Sequence, residues 1–313
     1  MTTLVRPMRA DDLTEADRIF RLAFGTFLGL PDPMQFAGDT DYVRTRWKIG
    51  SDGAFAAEQD GALVGSVFVE CWGSVGFFGP LSVRPDRWSR GVAQQLLEPV
   101  MEHFAAAGVR HAGLFTFAQS AKHVGLYGKY GFHARFLTIV GAKPVGAPTT
   151  APNWVRASIL DGPERAQAWI ECRAVSETLH AGLDLGHELQ ATLEHGLGDV
   201  VLVRDEGAVA AFAICHVGAG TEAGADTCYV KFGAAACGER AAEHFEVLLD
   251  ACEAFAAAVG VGTIVAGVNL AREHASAALK ARGFRTIIQG VAMHRPNVAG
   301  YSRSDVYALD DWR

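Results

Sequence analysis

Apolar residues recur along this chain with two periods, two and 3.6, and the changes between them mark where strands give way to helices. Leu4-Val5-Arg6-Pro7-Met8-Arg9 reads as a first strand. Asp11 and Asp12 then stand as caps of a helix running to about Phe27, with Ala16, Ile19, Phe20 and Ala23 on one face. The stretch up to Asp41 is rich in Gly, Pro and Asp and reads as loop. Residues 54–58 and 62–71 make a hairpin around Asp60-Gly61, a strong turn signal. Leu81-Ser82-Val83 is a short strand that Pro85 ends, because proline cannot donate to a ladder. From Val92 the positions Val92, Leu96, Leu97, Val100 and Phe104 fall at helical spacing, with Gly108 as the stop. A strand at 111–117, a short helix at 120–131 and a strand at 132–145 follow. The alternation predicts an α/β fold of the α+β, mixed-sheet kind.

Chemistry first gathers at residues 79–93, GPLSVRPDRWSRGVA, where a strand passes through an arginine-rich turn into a helix. The first free amides of that helix fall at Trp88 to Ala93, with the positive end of the macrodipole behind them. Gly91 lets a ligand approach the backbone and Ala93 keeps the next contact small. Arg84, Arg87 and Arg90 are unfavourable at a helix N-terminus unless an anion lies between them. Taken alone, the arginines read equally as a solvated basic loop.

Val83-Arg84-Pro85, Arg90-Gly91-Val92-Ala93 and Leu96-Leu97 together resemble the acyl-CoA motif of the GNAT superfamily of acyltransferases, a Gln/Arg-x-x-Gly-x-Gly/Ala turn. Trp88 stands where that motif has Gln or Arg. The resemblance implies that acetyl-CoA is held by the backbone at Leu81, Ser82 and Val83. Its pyrophosphate would take the amides of Trp88, Ser89, Arg90, Gly91, Val92 and Ala93, aided by Arg87. It also implies that the strand containing Pro80 parts from its neighbour and that pantetheine fills the gap. Leu126-Tyr127-Gly128-Lys129-Tyr130-Gly131-Phe132 is similar to the family's Leu-Tyr-x-Lys-x-Gly-Phe signature and puts Tyr127 at the general-acid position. A phenol of pKa about 10 can hydrogen-bond or protonate a leaving thiolate of pKa about 8.5. Tyr130 is the rival phenol, and Ser120 stands where the family often has a pantetheine-binding Asn. Phe27, Phe36 and Trp47 are candidates for a wall of the acceptor site, or else core aromatics. Glu70 and His123 are candidates for a base acting through water, while His111 and His123 read otherwise as structural.

The run GAKPVGAPTTAP at 141–152 is dense in Gly and Pro, and residues 146–152 read as a linker between 1–145 and a second domain at 153–296. Gly260 lies 152 residues after Gly108, and Gly283-Phe284 lies the same distance after Gly131-Phe132, so the second half reads as a copy of the first. The helix before Gly260 repeats the apolar pattern at Phe245, Leu248, Leu249, Cys252 and Ala256. Its chemistry is not copied: Glu239, Ala242, Glu243 and Leu279 stand where the first half has Arg87, Arg90, Gly91 and Tyr127. A carboxylate in the anion turn repels a pyrophosphate, so this half is expected to be GNAT-like without cofactor, lending structure and part of the acceptor cleft. Residues 297–313, with Tyr301, Tyr307, Leu309 and Trp312, are expected to form an ordered arm on the body or on a second subunit, which would make a homodimer.

Composition narrows the field. A formal charge of -7 argues against nucleic acid, which needs a basic footprint, while leaving room for a local anion site. No apolar run reaches the ~18 residues of a membrane span, and the first residues lack the apolar core of a signal peptide. A cytoplasmic protein with no membrane partner is expected. The six cysteines have no C-x-x-C pair and read as small buried hydrophobes. Gly218 to Gly224 misses the G-x-G-x-x-G fingerprint by one residue, and no G-x-S-x-G elbow occurs. His187 and His195 lie about 12 Å apart on a helix, too far to share a metal, so no metal is expected. The expected function is acetyl transfer from acetyl-CoA to a primary amine of a small molecule or peptide in a ternary complex. An acyl-CoA-binding sensor or scaffold without chemistry is the alternative.

Overall fold

The computed structural model describes residues 2–146 and 153–313. Its strands are β1 (Leu4–Pro7), β2 (Ala54–Gln59), β3 (Ala62–Trp72), β4 (Val75–Phe78), β5 (Ser82–Val83), β6 (His111–Thr116), β7 (His133–Pro144), β8 (Trp154–Arg156), β9 (Gly198–Asp205), β10 (Ala208–Gly218), β11 (Gly224–Ala235), β12 (Thr263–Asn269), β13 (Arg285–Arg295) and β14 (Ala308–Leu309). Its helices are α1 (Leu13–Leu28), α2 (Tyr42–Ile49), α3 (Val92–Ala106), α4 (Ala121–Gly128), α5 (Gly162–Leu179), α6 (Gly186–Glu194), α7 (Ala241–Ala258) and α8 (Glu273–Ala281). One mixed sheet runs β1-β2-β3-β4-β6-β13-β7-β12-β11-β10-β9-β8, with β5 paired to β3 and β14 to β11. The fold is mixed α/β.

Most elements follow from the apolar pattern. The stripe Leu96, Leu97, Val100 and Phe104 seats α3 on Val67, Phe78 and Leu114, while Ile19 and Phe20 of α1 pack with Val43 of α2 against Phe68. In the first half, β4 and α2 are not marked by the apolar pattern. The four residues of β4 are buried on both faces and so show no alternation, and α2 has little apolar stripe but carries a cap signal. There the Asp41 carboxylate accepts the Arg44 N–H at 2.8 Å. Asp12, expected to cap α1, gives that helix no side-chain cap; its carboxylate accepts the Arg9 N–H at 2.7 Å and holds Arg6 at 2.6 Å. Gly141 and Pro144, though they open the Gly- and Pro-dense run, belong to β7; of the expected linker at 146–152, residues 147–152 lie outside the described residues.

The halves of the chain share the sheet. β7 and β13 begin at 133 and 285, the 152-residue offset seen in the sequence, and they pair antiparallel with each other. β13 inserts between β7 and β6, and β7 in turn pairs with β12, so each half completes the other. The offset recurs in register: Val75 pairs with His111, and Thr227 with Thr263. A core cluster crosses the divide, joining Trp72 and Phe77 to α5, α6 and β11.

The C-terminal arm docks on its own chain. β14 pairs antiparallel with β11, and Tyr301 and Trp312 are buried. The Trp312 ring lies over Gly113 of β6, where any added Cβ would meet it at 2.1 Å, and stacks on Phe77. The arm is pinned by Arg272, which donates to Asp310 at 2.9 Å, and Tyr301 donates to the same carboxylate at 2.6 Å.

Five buried charges tie the halves together. Lys231 of β11 reaches Glu70 of β3, Glu188 of α6 and Glu222 at 3.1, 3.1 and 3.3 Å, while Arg46 of α2 reaches Glu70 and Glu222 at 3.1 and 3.0 Å. Against the cost of burial, Arg46 and Lys231 hold the Glu222 carboxyl well below its ordinary range. Removing the lysine leaves three buried carboxylates short of a counter-charge, so Lys231→Met is expected to cost about 3–5 kcal/mol in urea unfolding. A loss under about 1 kcal/mol would mean that the cluster does not hold the halves together.

Candidate functional site

The site begins where a strand leaves its neighbour. β4 pairs with β6 in parallel only from Val75 to Phe77. Past Gly79-Pro80 the chain turns away, and β5 pairs with β3 alone. A cavity of about 860 Å³ opens beside this gap, lined by Leu81 and Val83 on one side, by Leu114 to Phe117 of β6 on another, and by α4. Ser82 points elsewhere: its side chain is buried and its hydroxyl has no partner among the described residues.

The turn after β5 exposes peptide nitrogens to the cavity. Ser89 and Gly91 both have positive φ, 62° and 83°, which folds 88–91 into a concave nest at the start of α3. Among the described residues no hydrogen bond takes the amides of 89–94; the first helical bond is Gln95 N–H to Gly91 O at 3.1 Å, and α3 has no side-chain cap. Ser89, Gly91, Val92, Ala93 and Arg87 line the cavity, as does Lys122, whose ammonium donates to the Ser89 hydroxyl at 3.1 Å.

Three expected ligands are arranged differently from the sequence reading. The Trp88 amide donates to Pro85 O at 3.2 Å and its indole N–H to Val83 O at 2.7 Å, so the free run starts one residue later, at Ser89. Trp88 still lines the cavity through its ring. Arg90 is exposed and outside the lining, and Ser120 caps α4 by accepting the His123 N–H at 3.4 Å. Asp86 pairs with Arg84 at 2.6 Å and with Arg87 at 3.4 Å, which lowers the local positive charge without removing it.

Tyr127 and Tyr130 are distinguished by their partners. Tyr127 is buried at the cavity wall against Phe78, its hydroxyl has no hydrogen bond among the described residues, and burial pushes its phenol above the ordinary value. Tyr130 lies outside the lining and donates to Gln94 O at 2.7 Å. Of the two candidate bases, Glu70 does not line the cavity and is locked between Arg46 and Lys231. His123 does line it, and burial holds its imidazole below the ordinary value, with Lys122 adding to the effect. His111 sits apart, packed against His294 and His180. Phe27 and Phe36 line the cavity, but Trp47 lies in the core between α1 and α2.

Comparison with known proteins adds an independent line. The model of the acetyltransferase (GNAT) family matches residues 18–132. By that match residues 18–132 carry a GNAT domain. Solved structures extend the likeness in fold to nearly the whole chain. A candidate acetyltransferase from Pyrococcus horikoshii superposes with a TM-score of 0.70 at 15% identity, covering 99% of this chain and 95% of that one. A GCN5-related N-acetyltransferase from Sphaerobacter thermophilus gives 0.60 at 12%, covering 94% and 95%. The glucosamine N-acetyltransferase region of a fungal multi-domain β-N-acetylglucosaminidase gives 0.63 at 16%, covering 94% of this chain and 38% of that one. A comparison with the curated proteins finds none that matches.

Outside the GNAT domain the corresponding places are filled. Gly233, Ala234 and Ala235 stand 152 residues after Leu81, Ser82 and Val83; the first two pair with Leu309 and Ala308 of the arm, and Ala235 N–H donates to Tyr307 O at 3.1 Å. Phe245, at the same offset from Ala93, packs on the Tyr307 ring at 5.4 Å. Glu243 is bound by Arg240 at 2.9 Å, and Leu279 is core. The second half also reaches into the cavity of the first through Ile287, Ile288 and Gln289 of β13 and through Trp312 and Arg313 of the arm. None of these five could be assigned to a site from sequence, because strand insertion and arm docking put them there. Among the described residues no helix is long and apolar enough to cross a membrane.

Copying the second half's residue into the GNAT domain tests the nest. Gly91→Glu puts both a side chain in the left-handed region and a like charge at the nest, and should weaken coenzyme A binding by calorimetry at least tenfold, about 1.4 kcal/mol. Gly91→Ala carries only the strain and should lose less. Equal binding by parent and Gly91→Glu would move the anion site elsewhere.

Proposed function

We propose that this chain transfers an acetyl group from acetyl-CoA to a primary amine by direct attack in a ternary complex. The observation that carries the reading is that among the described residues the amides of 89–94 have no hydrogen-bond partner, where Ser89, Gly91, Val92, Ala93 and Gln94 line the cavity beside β5 and β6. Such a nest, with Lys122 and Arg87 beside it, suits a diphosphate, and the gap suits an extended pantetheine arm. On this reading residues 153–296 are a GNAT-like half without cofactor, whose gap the arm fills and whose β13 completes the acceptor side.

The chemistry follows from two side chains. The amine lone pair attacks the thioester carbonyl carbon, the C–N bond forms, and the C–S bond breaks with its electrons going to sulfur. His123, whose imidazole burial holds below its ordinary value, takes the proton that the attacking nitrogen sheds. On this reading Tyr127, at the cavity wall, would be the group that meets the departing sulfur. Because burial has raised its phenol, complete transfer to a thiolate of pKa about 8.5 is uphill, and Tyr127 acts mainly as a hydrogen-bond donor that stabilises developing charge.

Coenzyme A release with a panel of primary amines tests the reading. Tyr127→Phe should lower kcat about 100-fold while leaving acetyl-CoA affinity nearly unchanged, since the hydroxyl matters when sulfur leaves. Tight acetyl-CoA binding with no amine turned over, and no effect of Tyr127→Phe, would favour a sensor over an enzyme.

A further inference from the structure

One wall of the cavity is a continuous run of rings. Tyr42 packs on Phe20 at 5.7 Å between centroids, Phe20 on Phe36 at 5.3 Å, and Phe36 stacks on Phe24 at 5.3 Å. Phe24 meets Phe117 at 6.3 Å, Phe117 meets Phe27 at 5.0 Å, and Phe27 meets the imidazole of His123 at 4.8 Å. All seven line the cavity. The run leads from Tyr42, beside Arg46 and under the Arg313 end of the arm, to His123, the ring that can accept a proton. Leu28 and Ile287, also in the lining, are 43% and 57% exposed, so the apolar surface continues outward.

The charged side chains in the lining have one sign. Arg87, Lys122, Lys129 and Arg313 are there, and among the described residues no Asp or Glu is. Sites for polycationic or hydroxyl-rich amines need carboxylates and many hydrogen-bonding groups, because a second ammonium or a buried hydroxyl left without partners is costly. Here, away from Ser89 and Gln94 at the nest, the uncharged polar side chains in the lining are Thr116, Gln119 and Gln289 with the phenols of Tyr42 and Tyr127. An apolar wall also helps the chemistry, since desolvation disfavours an ammonium and favours the free amine that attacks.

We propose that the acceptor is a monoamine on an apolar, aromatic body, which lies along the ring wall and presents its nitrogen at His123. This rests on the acetyltransferase reading and adds the acceptor class to it. Binding to the wall and turnover are separable, and the wall serves the acceptor because it ends on the imidazole that must meet the amine.

The test compares 2-phenylethylamine with glucosamine and spermidine, using acetyl-CoA and the full chain. Expected is a kcat/KM at least tenfold higher for phenylethylamine. With coenzyme A bound, phenylethylamine but not glucosamine should also raise the melting temperature saturably, a readout that needs no turnover. Phe27→Asp, which plants a carboxylate in the wall, should shift preference toward spermidine, and Phe27→Leu should keep the parent order. Preference of the parent for glucosamine or spermidine overturns this acceptor class while leaving acetyl transfer standing. Octanoyl-CoA used faster than acetyl-CoA, with phenylethylamine no better than glucosamine, would assign the wall to the acyl chain and also overturn it. Saturable binding of phenylethylamine without turnover of any amine would uphold the wall and sink the acetyltransferase reading.

Discussion

A strand that departs from its neighbour leaves peptide groups without partners, and a folded protein tolerates this only where solvent or a ligand takes them. That single departure, β5 from β6 after Gly79-Pro80, makes the cavity, and the rest of the site depends on it. The turn that follows holds Ser89 and Gly91 at positive φ and starts α3 with six amides that no group among the described residues claims. Trp88 helps fix this shape by spending both of its N–H groups inside the turn. The tryptophan that breaks the side-chain pattern of the motif therefore supports the backbone on which the motif relies.

The second half carries the same departure and a different outcome. β11 leaves β12 in the same register, but Tyr307 to Leu309 lie against it and take the groups that a ligand would need. Phe245 fills the helix N-terminus where Ala93 leaves room. The same arm then crosses to the first half, where Trp312 rests on Gly113 and Arg313 enters the cavity lining. One segment thus closes one gap and forms part of the floor of the other, and the β7–β13 exchange with the Lys231 ion cluster keeps the two at a fixed distance. The halves are separate in sequence and inseparable in packing.

Much of this was legible in the residues. Helices α1 and α3 lie where 3.6-residue patterns put them and α4 where Ser120 and Gly131 bound it, while the turn at 88–93 and Tyr127, both at the cavity, belong to short motifs whose parts lie close in sequence. The 152-residue offset located equivalent elements but said nothing of their pairing: that β13 would slide between β6 and β7 depends on contacts far apart along the chain. The ion cluster was hidden for the same reason: Glu70 stood out only as a candidate base, and Arg46, Glu188, Glu222 and Lys231 look like ordinary surface charges until the sheet brings them together. Ser120 illustrates the opposite error: one hydroxyl fits both a helix cap and a ligand contact, and the local cap uses it. The ring wall was only partly visible, because Phe27 and Phe36 stood out as isolated aromatics while their contacts with Phe24 and Phe117 are tertiary.

One half of this chain keeps an open backbone cradle, and the other has sealed its own. A calorimetric titration of the full chain with acetyl-CoA, followed by a crystal structure of the complex, distinguishes the two. Expected is one molecule bound per chain, its diphosphate on the amides of 89–94 and its pantetheine between β5 and β6. Two molecules per chain, or a nucleotide lodged against β11 in place of the arm, would overturn this.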